Sequence, residues 1–149
     1  MIKDSGNRCE FETGAVRDIQ EGKGRCDLMP LDVVHYVLLD RITECLECFI
    51  RDQDSFYLLD ALNEFAARAY DGSRETMLLE VSIHFEEGAK KYGEFNWQKG
   101  IPVERYIDSA IRHYLKWRRG DDDERHDRAF VWNVMCCYWT FERKAELFK

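Results

Sequence analysis

The spacing of apolar residues along the chain predicts helices. From Pro30 onward, apolar side chains recur every three or four residues, at Val34, Val37, Leu38, Ile42, Cys45, Cys48 and Phe49. This period places them on one face of an α-helix, and a proline is well suited to the first helical turn. Residues 1–29 lack the period and are punctuated by glycines, so we expect an irregular N-terminal arm there.

Four more helical segments follow, each bounded by capping or helix-breaking residues. They run from about Asp54 to Gly72, from Ser73 to Gly93, from Pro102 to Gly120 and from about Asp121 to Lys149. The last is apolar around most of its circumference and should be the most buried. The chain is thus predicted to be all-α: a compact bundle of about five helices over residues 30–149, forming one domain with the arm.

Composition narrows the class of protein. The 149 residues are 45% hydrophobic and carry a net charge of −7, which argues against binding a nucleic-acid polymer. The N-terminus is polar and no apolar run approaches the roughly 20 residues of a membrane span. We therefore expect a cytoplasmic protein with no membrane association, whose cysteines at 45, 48, 136 and 137 are buried thiols rather than disulfides or zinc ligands.

The third predicted helix carries a polar stripe. Glu80, His84, Glu87 and Lys91 stand at i, i+4, i+7 and i+11, which places them on one side of the helix. Two carboxylates flanked by an imidazole and an ammonium group could hold a divalent metal ion and a phosphate. The alternative is a solvated face with ordinary pairs between neighbouring turns.

The fourth predicted helix places Asp108, Arg112 and Lys116 along one edge, each one turn apart. In a pocket the aspartate could bind metal and the arginine could hold phosphate through two hydrogen bonds. On a surface the same spacing is an ordinary helix ion pair. His113 lies on another side and is expected to be packed or exposed.

The fifth predicted helix has polar residues on an otherwise apolar segment. His126 and Asn133 share a face at i and i+7, with Asp122 one turn earlier. Buried polar groups are costly unless partnered, so this stripe indicates either a functional site or an internal hydrogen-bond network.

Several common enzyme motifs are missing from the sequence. It contains no Walker A loop, no Rossmann GxGxxG and no HExxH, and no serine or cysteine stands in a recognised nucleophile setting. The remaining chemistry is a helical scaffold bearing carboxylates and cations, which suits a nucleotide phosphate with or without a metal ion.

At the level of motifs the chain resembles a known family. The segments GAKKYGEFNWQKGIP, YIDSAIRHYLK and DDDERHDRAFVWN, preceded by FETGAVRD and EGKGRCDLMP, are similar to the phage and bacterial dATP/dGTP diphosphohydrolase N-terminal domains. The resemblance implies an all-α nucleotide pyrophosphohydrolase, related to the MazG type, that uses Mg²⁺ or Mn²⁺ to split a purine (deoxy)nucleoside triphosphate into monophosphate and pyrophosphate. If phage-encoded, it would act in the host cytoplasm.

The resemblance also guides the expected roles of residues. Metal ligands are expected at Glu80, Glu87, Asp108, Asp122 and Asp123, and catalytic roles at Glu87, Asp108 and His126. Substrate contacts are expected at Arg17, Lys23, Arg25, Lys91, Asn96, Trp97, Arg112, Lys116 and Asn133. MazG-type enzymes carry an EExxE helix, whereas here Glu86 and Glu87 are followed by Gly88, Ala89 and Lys90; Glu124 and Asp127 do stand at ExxD spacing.

Two other functions stay open. A non-catalytic phage protein that binds or sequesters a nucleotide would keep the basic and aromatic residues without a complete metal shell. A helical interaction module would use the polar stripes between subunits. A homo-oligomer is expected in any case, because four Trp, nine Phe and seven Tyr exceed what one small core readily hides.

Overall fold

The computed structural model describes residues 5–148, and it begins with a short hairpin. Strand β1 (Arg8–Glu10) pairs antiparallel with strand β2 (Val16–Asp18). The connecting turn is closed by a bond from the Phe11 amide to the Ala15 carbonyl at 2.9 Å. Ala15 is fully buried and ties the hairpin to the core. The predicted irregular arm therefore contains a small sheet.

Six α-helices follow among the described residues. They are α1 (Leu31–Leu38), α2 (Arg41–Asp52), α3 (Phe56–Ala69), α4 (Arg74–Tyr92), α5 (Val103–Arg119) and α6 (His126–Arg143). Short 3-10 turns at Cys26–Leu28, Asn96–Lys99 and Ala145–Leu147 precede α1, join α4 to α5 and follow α6. The all-α prediction is confirmed.

The first predicted helix is two helices in the structure. Leu39 adopts a left-handed backbone conformation with φ of 53°, and Asp40 then begins α2 as its N-cap. The Asp40 carboxylate accepts from the Thr43 amide at 2.8 Å and from the Thr43 hydroxyl at 2.7 Å. The apolar period continues across this break, which is why spacing alone predicted one helix.

Asp40 also joins three helices. Its second carboxylate oxygen accepts from the Tyr114 hydroxyl and from the Arg118 guanidinium, each at 2.7 Å. Arg68 on α3 reaches the same oxygen at 3.5 Å. One buried carboxylate thus links the start of α2 to α3 and α5.

The core lies between α5 and α6, which pack along each other, and α3 and α4 cover α6. Tyr106, Tyr114, Phe65 and Phe130 are among its largest fully buried side chains. On the last helix Val134 is buried and Trp132 is half-buried, as expected for its apolar pattern. That helix begins at His126 rather than near 121 and ends at Arg143 rather than near 149, because the chain turns at Lys144 into a short 3-10 turn.

All six cysteines are free, and those at 45, 48, 136 and 137 are buried, as predicted. None of the helices formed by the described part of the chain has the length and apolar character needed to cross a bilayer.

Candidate functional site

A cavity of about 640 Å³ opens between the arm and the helices. Its walls are residues 16–23 of the arm, the C-terminal half of α4, the loop that follows it, one face of α5 and the first turns of α6. Ligand pockets of small molecules and cofactors commonly occupy about 300–1,000 Å³. The cavity therefore has the volume of a small-molecule or cofactor site.

One wall is aromatic. Trp97 meets Phe85 edge-on, with ring centroids 5.8 Å apart, and Trp132 lies 6.1 Å from the same Phe85 ring. Trp97 is held from behind by Trp139 at 5.0 Å. Flat apolar surfaces of this kind suit a planar heteroaromatic ring.

Arg17 brings a half-buried positive charge into the cavity wall. It projects from β2, donates to Asn133 Oδ1 at 2.7 Å, and lies 5.6 Å from the Tyr106 ring and 5.4 Å from the Trp132 ring. It forms no ion pair with any carboxylate in residues 5–148, and its buried Nη1 has no hydrogen-bond partner there. Burial lowers the pKa of Arg17, although it remains a cation.

Other cations surround the cavity. Its lining includes five Arg or Lys side chains and three carboxylates. Lys23 pairs with Asp18 at 2.6 Å, and Arg112 pairs with Asp108. Arg17, Arg105 and Lys116 have no carboxylate partner among the described residues. Although the whole chain is acidic, the cavity is therefore electropositive, which favours an anionic ligand.

Asp108 anchors the arm to α5. Its carboxylate accepts from the Cys26 amide at 2.7 Å, from the Gln20 side chain at 2.8 Å and from Arg112. Arg112 donates in addition to the carbonyls of residues 23 and 24, at 3.3 and 3.0 Å. These two residues hold the arm in place as a wall of the cavity.

The two asparagines predicted as substrate contacts, Asn96 and Asn133, lie in the lining and position other residues. Asn96 accepts from the Val16 amide and donates to the Val16 carbonyl. Asn133 accepts from Arg17 and donates to the Ala129 carbonyl at 2.8 Å. Both asparagines fix neighbouring wall residues in the orientation that the cavity requires.

Three histidines lie at or behind the cavity. Burial, together with the nearby Arg17 charge, lowers the pKa of His84 to about 4. Burial and the adjacent His126 hold the pKa of His113 well below its usual value. His113 Nδ1 lies 2.9 Å from His126 Nδ1, and His126 Nε2 lies 2.7 Å from an Asp123 carboxylate oxygen. His84 and His113 are therefore neutral near pH 7.

The structure brings together many, but not all, of the predicted site residues. The lining includes Arg17, Lys23, Asn96, Trp97, Asp108, Arg112, Lys116 and Asn133. Among the described residues, the lining does not include Arg25, Glu80, Glu87, Lys91, Asp122, Asp123 or His126. Arg25 instead pairs with Asp27 at 2.8 Å, at an exposed position.

The five predicted oxygen ligands for Mg²⁺ do not converge. Glu80 accepts from Arg125 at 2.8 Å and from Arg128 at 2.9 Å, and the Asp108 carboxylate is occupied by the arm. Within residues 5–148, the groups whose ligand atoms do approach one another are His113 with Glu124 and His126, and Asp121 with Asp123 and His126. The predicted set does not fit an Mg²⁺ ion, and no chemical step is assigned to it.

Sequence reasoning did not expect Arg105 or His113 at the cavity wall, and it noted Glu124 for its ExxD spacing with Asp127 rather than as part of the predicted site. Arg105 is one turn before Ser109 and shares the edge that continues to Arg112, so helical spacing could have identified it. The approach of His113 to His126 depends on how α5 packs against α6, which spacing within one helix does not reveal.

A family model described as dATP/dGTP diphosphohydrolase, N-terminal, matches residues 68–148. The match covers α4, α5 and α6 and leaves out the arm. No curated protein and no solved structure matches the chain significantly.

Proposed function

The chain belongs to the dATP/dGTP diphosphohydrolase N-terminal family, and from that premise we propose that its cavity binds a purine deoxynucleoside triphosphate. The observation that carries the proposal is the half-buried Arg17 in the cavity wall, whose buried Nη1 lacks a hydrogen-bond partner and which has no carboxylate partner within residues 5–148. A buried unpaired charge is costly, and an anionic ligand removes that cost.

The cationic wall and the aromatic wall of the cavity suggest how the nucleotide is oriented. Arg17, Arg105 and Lys116 supply uncompensated positive charge for the phosphates, through charge-assisted hydrogen bonds that are stronger than neutral ones. Phe85, Trp97 and Trp132 form the apolar surface against which a purine ring can stack. Arg17 lies over the Trp132 ring, so the cationic and the aromatic wall adjoin there. The part of the nucleotide that links its base to its phosphates would lie near this pair.

The family name implies hydrolysis, and we propose cleavage between the α- and β-phosphates. Water would add to the α-phosphorus, and the bond to the bridging oxygen would break to release pyrophosphate and the monophosphate. Cations at the cavity wall would stabilise the negative charge that develops on the leaving pyrophosphate. Mg²⁺ or Mn²⁺ remains the cofactor expected from the family resemblance, without an assigned ligand set.

A second candidate is a nucleotide-binding protein without turnover. It is favoured by one observation: Glu80 and Asp108, both expected as metal ligands, are held by arginines and by the arm. Such a protein would still need the cationic and aromatic walls.

Calorimetric titration with dGTP and dATP tests binding, and Arg17→Gln tests the residue that carries the proposal. We expect Arg17→Gln to weaken binding at least about tenfold, because a charged hydrogen bond to phosphate contributes roughly 1.5–3 kcal/mol. Arg119→Gln is the matched control, since that arginine is exposed and pairs with Asp121. Circular dichroism checks the fold of both variants.

Two results separate the candidates. Release of pyrophosphate from dGTP or dATP with Mg²⁺ or Mn²⁺, followed by chromatography, supports the hydrolase. Tight binding with no product under the same conditions supports the sequestering protein. If neither nucleotide bound at millimolar concentration, the cavity would have a different ligand.

A further inference from the structure

Two imidazoles and a carboxylate meet where α5 approaches the start of α6. The ligand atoms of His113, Glu124 and His126 all lie within 4.8 Å of one another. His113 and Glu124 also line the cavity, whereas His126 is buried behind them. The group therefore lies at the boundary between the core and the cavity.

We propose that His113, Glu124 and His126 form a binding site for a divalent transition-metal ion of the Zn²⁺ class. This goes beyond nucleotide binding, and it differs from the oxygen-only set expected for Mg²⁺. Imidazole nitrogen suits Zn²⁺ and its neighbours in the transition series, whereas Mg²⁺ prefers oxygen ligands. Three protein ligands leave at least one coordination position for water or a ligand oxygen.

The separation of the two imidazoles fits this role. Their Nδ1 atoms are 2.9 Å apart. Two nitrogens bound tetrahedrally to one ion at about 2.1 Å lie about 3.4 Å from each other, so the two rings need to separate by only about 0.5 Å to hold it. Glu124 is half-buried at the cavity edge, so rotation of its side chain can bring an oxygen to the same ion.

Asp123 orients the His126 ring in the way that a histidine metal ligand requires. Its carboxylate oxygen lies 2.7 Å from His126 Nε2, and as an ionised acceptor it fixes the proton on that nitrogen. The His126 Nδ1 lone pair then faces His113. Such carboxylate contacts orient histidine ligands at many metal sites.

The two histidines gain and lose no net proton when the ion binds. Without metal, His113 donates its Nδ1 proton to the His126 lone pair across the 2.9 Å contact. On metal binding, water in the cavity that His113 lines takes the Nδ1 proton and returns one to Nε2, so the Nδ1 lone pair becomes free for the ion. A neutral imidazole is the form that ligates a metal.

Glu124 distinguishes this group from the second candidate group, which consists of Asp121, Asp123 and His126. Across residues 5–148, the Glu124 carboxylate accepts no side-chain or backbone hydrogen bond and forms no ion pair. In the second group, the Asp121 carboxylate is already bound by two nitrogens of Arg119, at 2.7 and 2.5 Å. A metal ion would have to displace that arginine to use Asp121, whereas Glu124 is available.

Calorimetric titration of the full chain with Zn²⁺ alone, in the absence of nucleotide, tests the site. We expect one ion per chain in the parent protein. His113→Gln and Glu124→Ala should each weaken Zn²⁺ binding by about 100-fold or more, because loss of even an outer-shell partner commonly costs about 10- to 100-fold. Asp121→Asn should bind like the parent, and Mg²⁺ should bind far more weakly than Zn²⁺.

Each contrary result overturns the proposal. Loss of binding in Asp121→Asn with retention in His113→Gln would move the ion to the second group. Unchanged affinity in all three variants would assign the ion elsewhere, for example to the partly exposed thiols of Cys9 and Cys26. No Zn²⁺ binding by the parent protein would also overturn it. If His113→Gln misfolds, Glu124→Ala decides the test, since its side chain is at the cavity edge. Zn²⁺ binding is measured without nucleotide, so its failure leaves the proposed function untouched.

Discussion

Asn96 and Val16 exchange two hydrogen bonds. The Val16 amide donates to Asn96 Oδ1 at 2.8 Å, and Asn96 Nδ2 donates to the Val16 carbonyl at 2.7 Å. The side-chain amide thus pairs with β2 as a neighbouring strand would. A single buried asparagine joins the arm to the loop between α4 and α5, and so closes one side of the cavity.

Asn96→Asp should destabilise the protein. A carboxylate cannot donate to the Val16 carbonyl, so two acceptors would face each other at a buried position. Loss of a buried hydrogen bond with an unsatisfied partner costs about 1–3 kcal/mol. Denaturant unfolding measures the change. Asn63→Asp, the same substitution on the exposed side of α3, should change the free energy of unfolding by less than about 0.5 kcal/mol.

Gly100→Ala should also lower stability. Gly100 has φ of 117°, and an added Cβ would lie 2.9 Å from Leu147 Cδ1 and 3.1 Å from Thr13 Cγ2. We expect a loss of more than about 1 kcal/mol, because alanine is strained at such φ values.

Gly88→Ala is the matched comparison for that substitution. Gly88 lies within α4, and an added Cβ there meets nothing within 4 Å. Its replacement should stabilise the helix by about 0.5–1 kcal/mol. Thermal unfolding of the two variants should therefore shift in opposite directions, and equal shifts would contradict the backbone argument.

Asp40 should make stability depend on acidic pH. Burial acts to raise the pKa of this carboxyl, but hydrogen bonds from Tyr114 and Thr43, with the Arg118 charge, outweigh it and lower the pKa. A carboxyl with a lowered folded-state pKa stabilises the protein above its unfolded pKa, near 3.9, and this contribution is lost as pH falls through the folded value.

Asp40→Asn removes that contribution. At neutral pH it should cost about 3–5 kcal/mol, as expected when one partner of a buried charge pair is removed. Below the folded pKa of Asp40, the parent and variant should approach each other in stability. Unfolding curves at several pH values measure the difference. Asp60→Asn, which loses only an exposed 3.5 Å pair with Arg41, should cost less than about 1 kcal/mol at any pH.

Arg112→Ala should weaken nucleotide binding partly through the arm. Arg112 holds the carbonyls of residues 23 and 24 as well as Asp108, so its loss should loosen the cavity wall. Calorimetry measures the affinity, and limited proteolysis should show faster cleavage near residues 20–25. Reduced affinity with unchanged cleavage would mean that Arg112 acts by contacting phosphate alone.

Self-association stays a prediction from the aromatic content. Several large apolar side chains on α1 are exposed in the single chain, among them Tyr36 and Val37 at 71% and 75%. We expect light scattering at micromolar concentration to report more than one copy per particle. A mass of 17.8 kDa would contradict this.

The spacing of apolar residues predicted the helices well, because a helix that buries one face must place an apolar residue on that face every three or four positions. It predicted the polar residues of α5 and α6 as candidates, and many of them do line the cavity. It could not show that Glu80 pairs with Arg125 and Arg128, because those contacts depend on how α4 packs against α6. For the same reason the sequence pattern led us to expect Glu80 as a metal ligand and to overlook His113.

The way in which the arm is attached bears on how ligand choice can change. Residues 16–23 supply cavity wall, yet they precede the segment 68–148 that the family model matches. The arm is held by polar contacts to Asn96, Asp108 and Arg112, and by packing of Phe11, Ala15, Cys26 and Met29 against the core. Substitutions in residues 16–23 that keep these contacts would change the shape of the cavity wall and leave the helical scaffold in place. The arm is therefore a part of the cavity wall whose sequence can change independently of the helices.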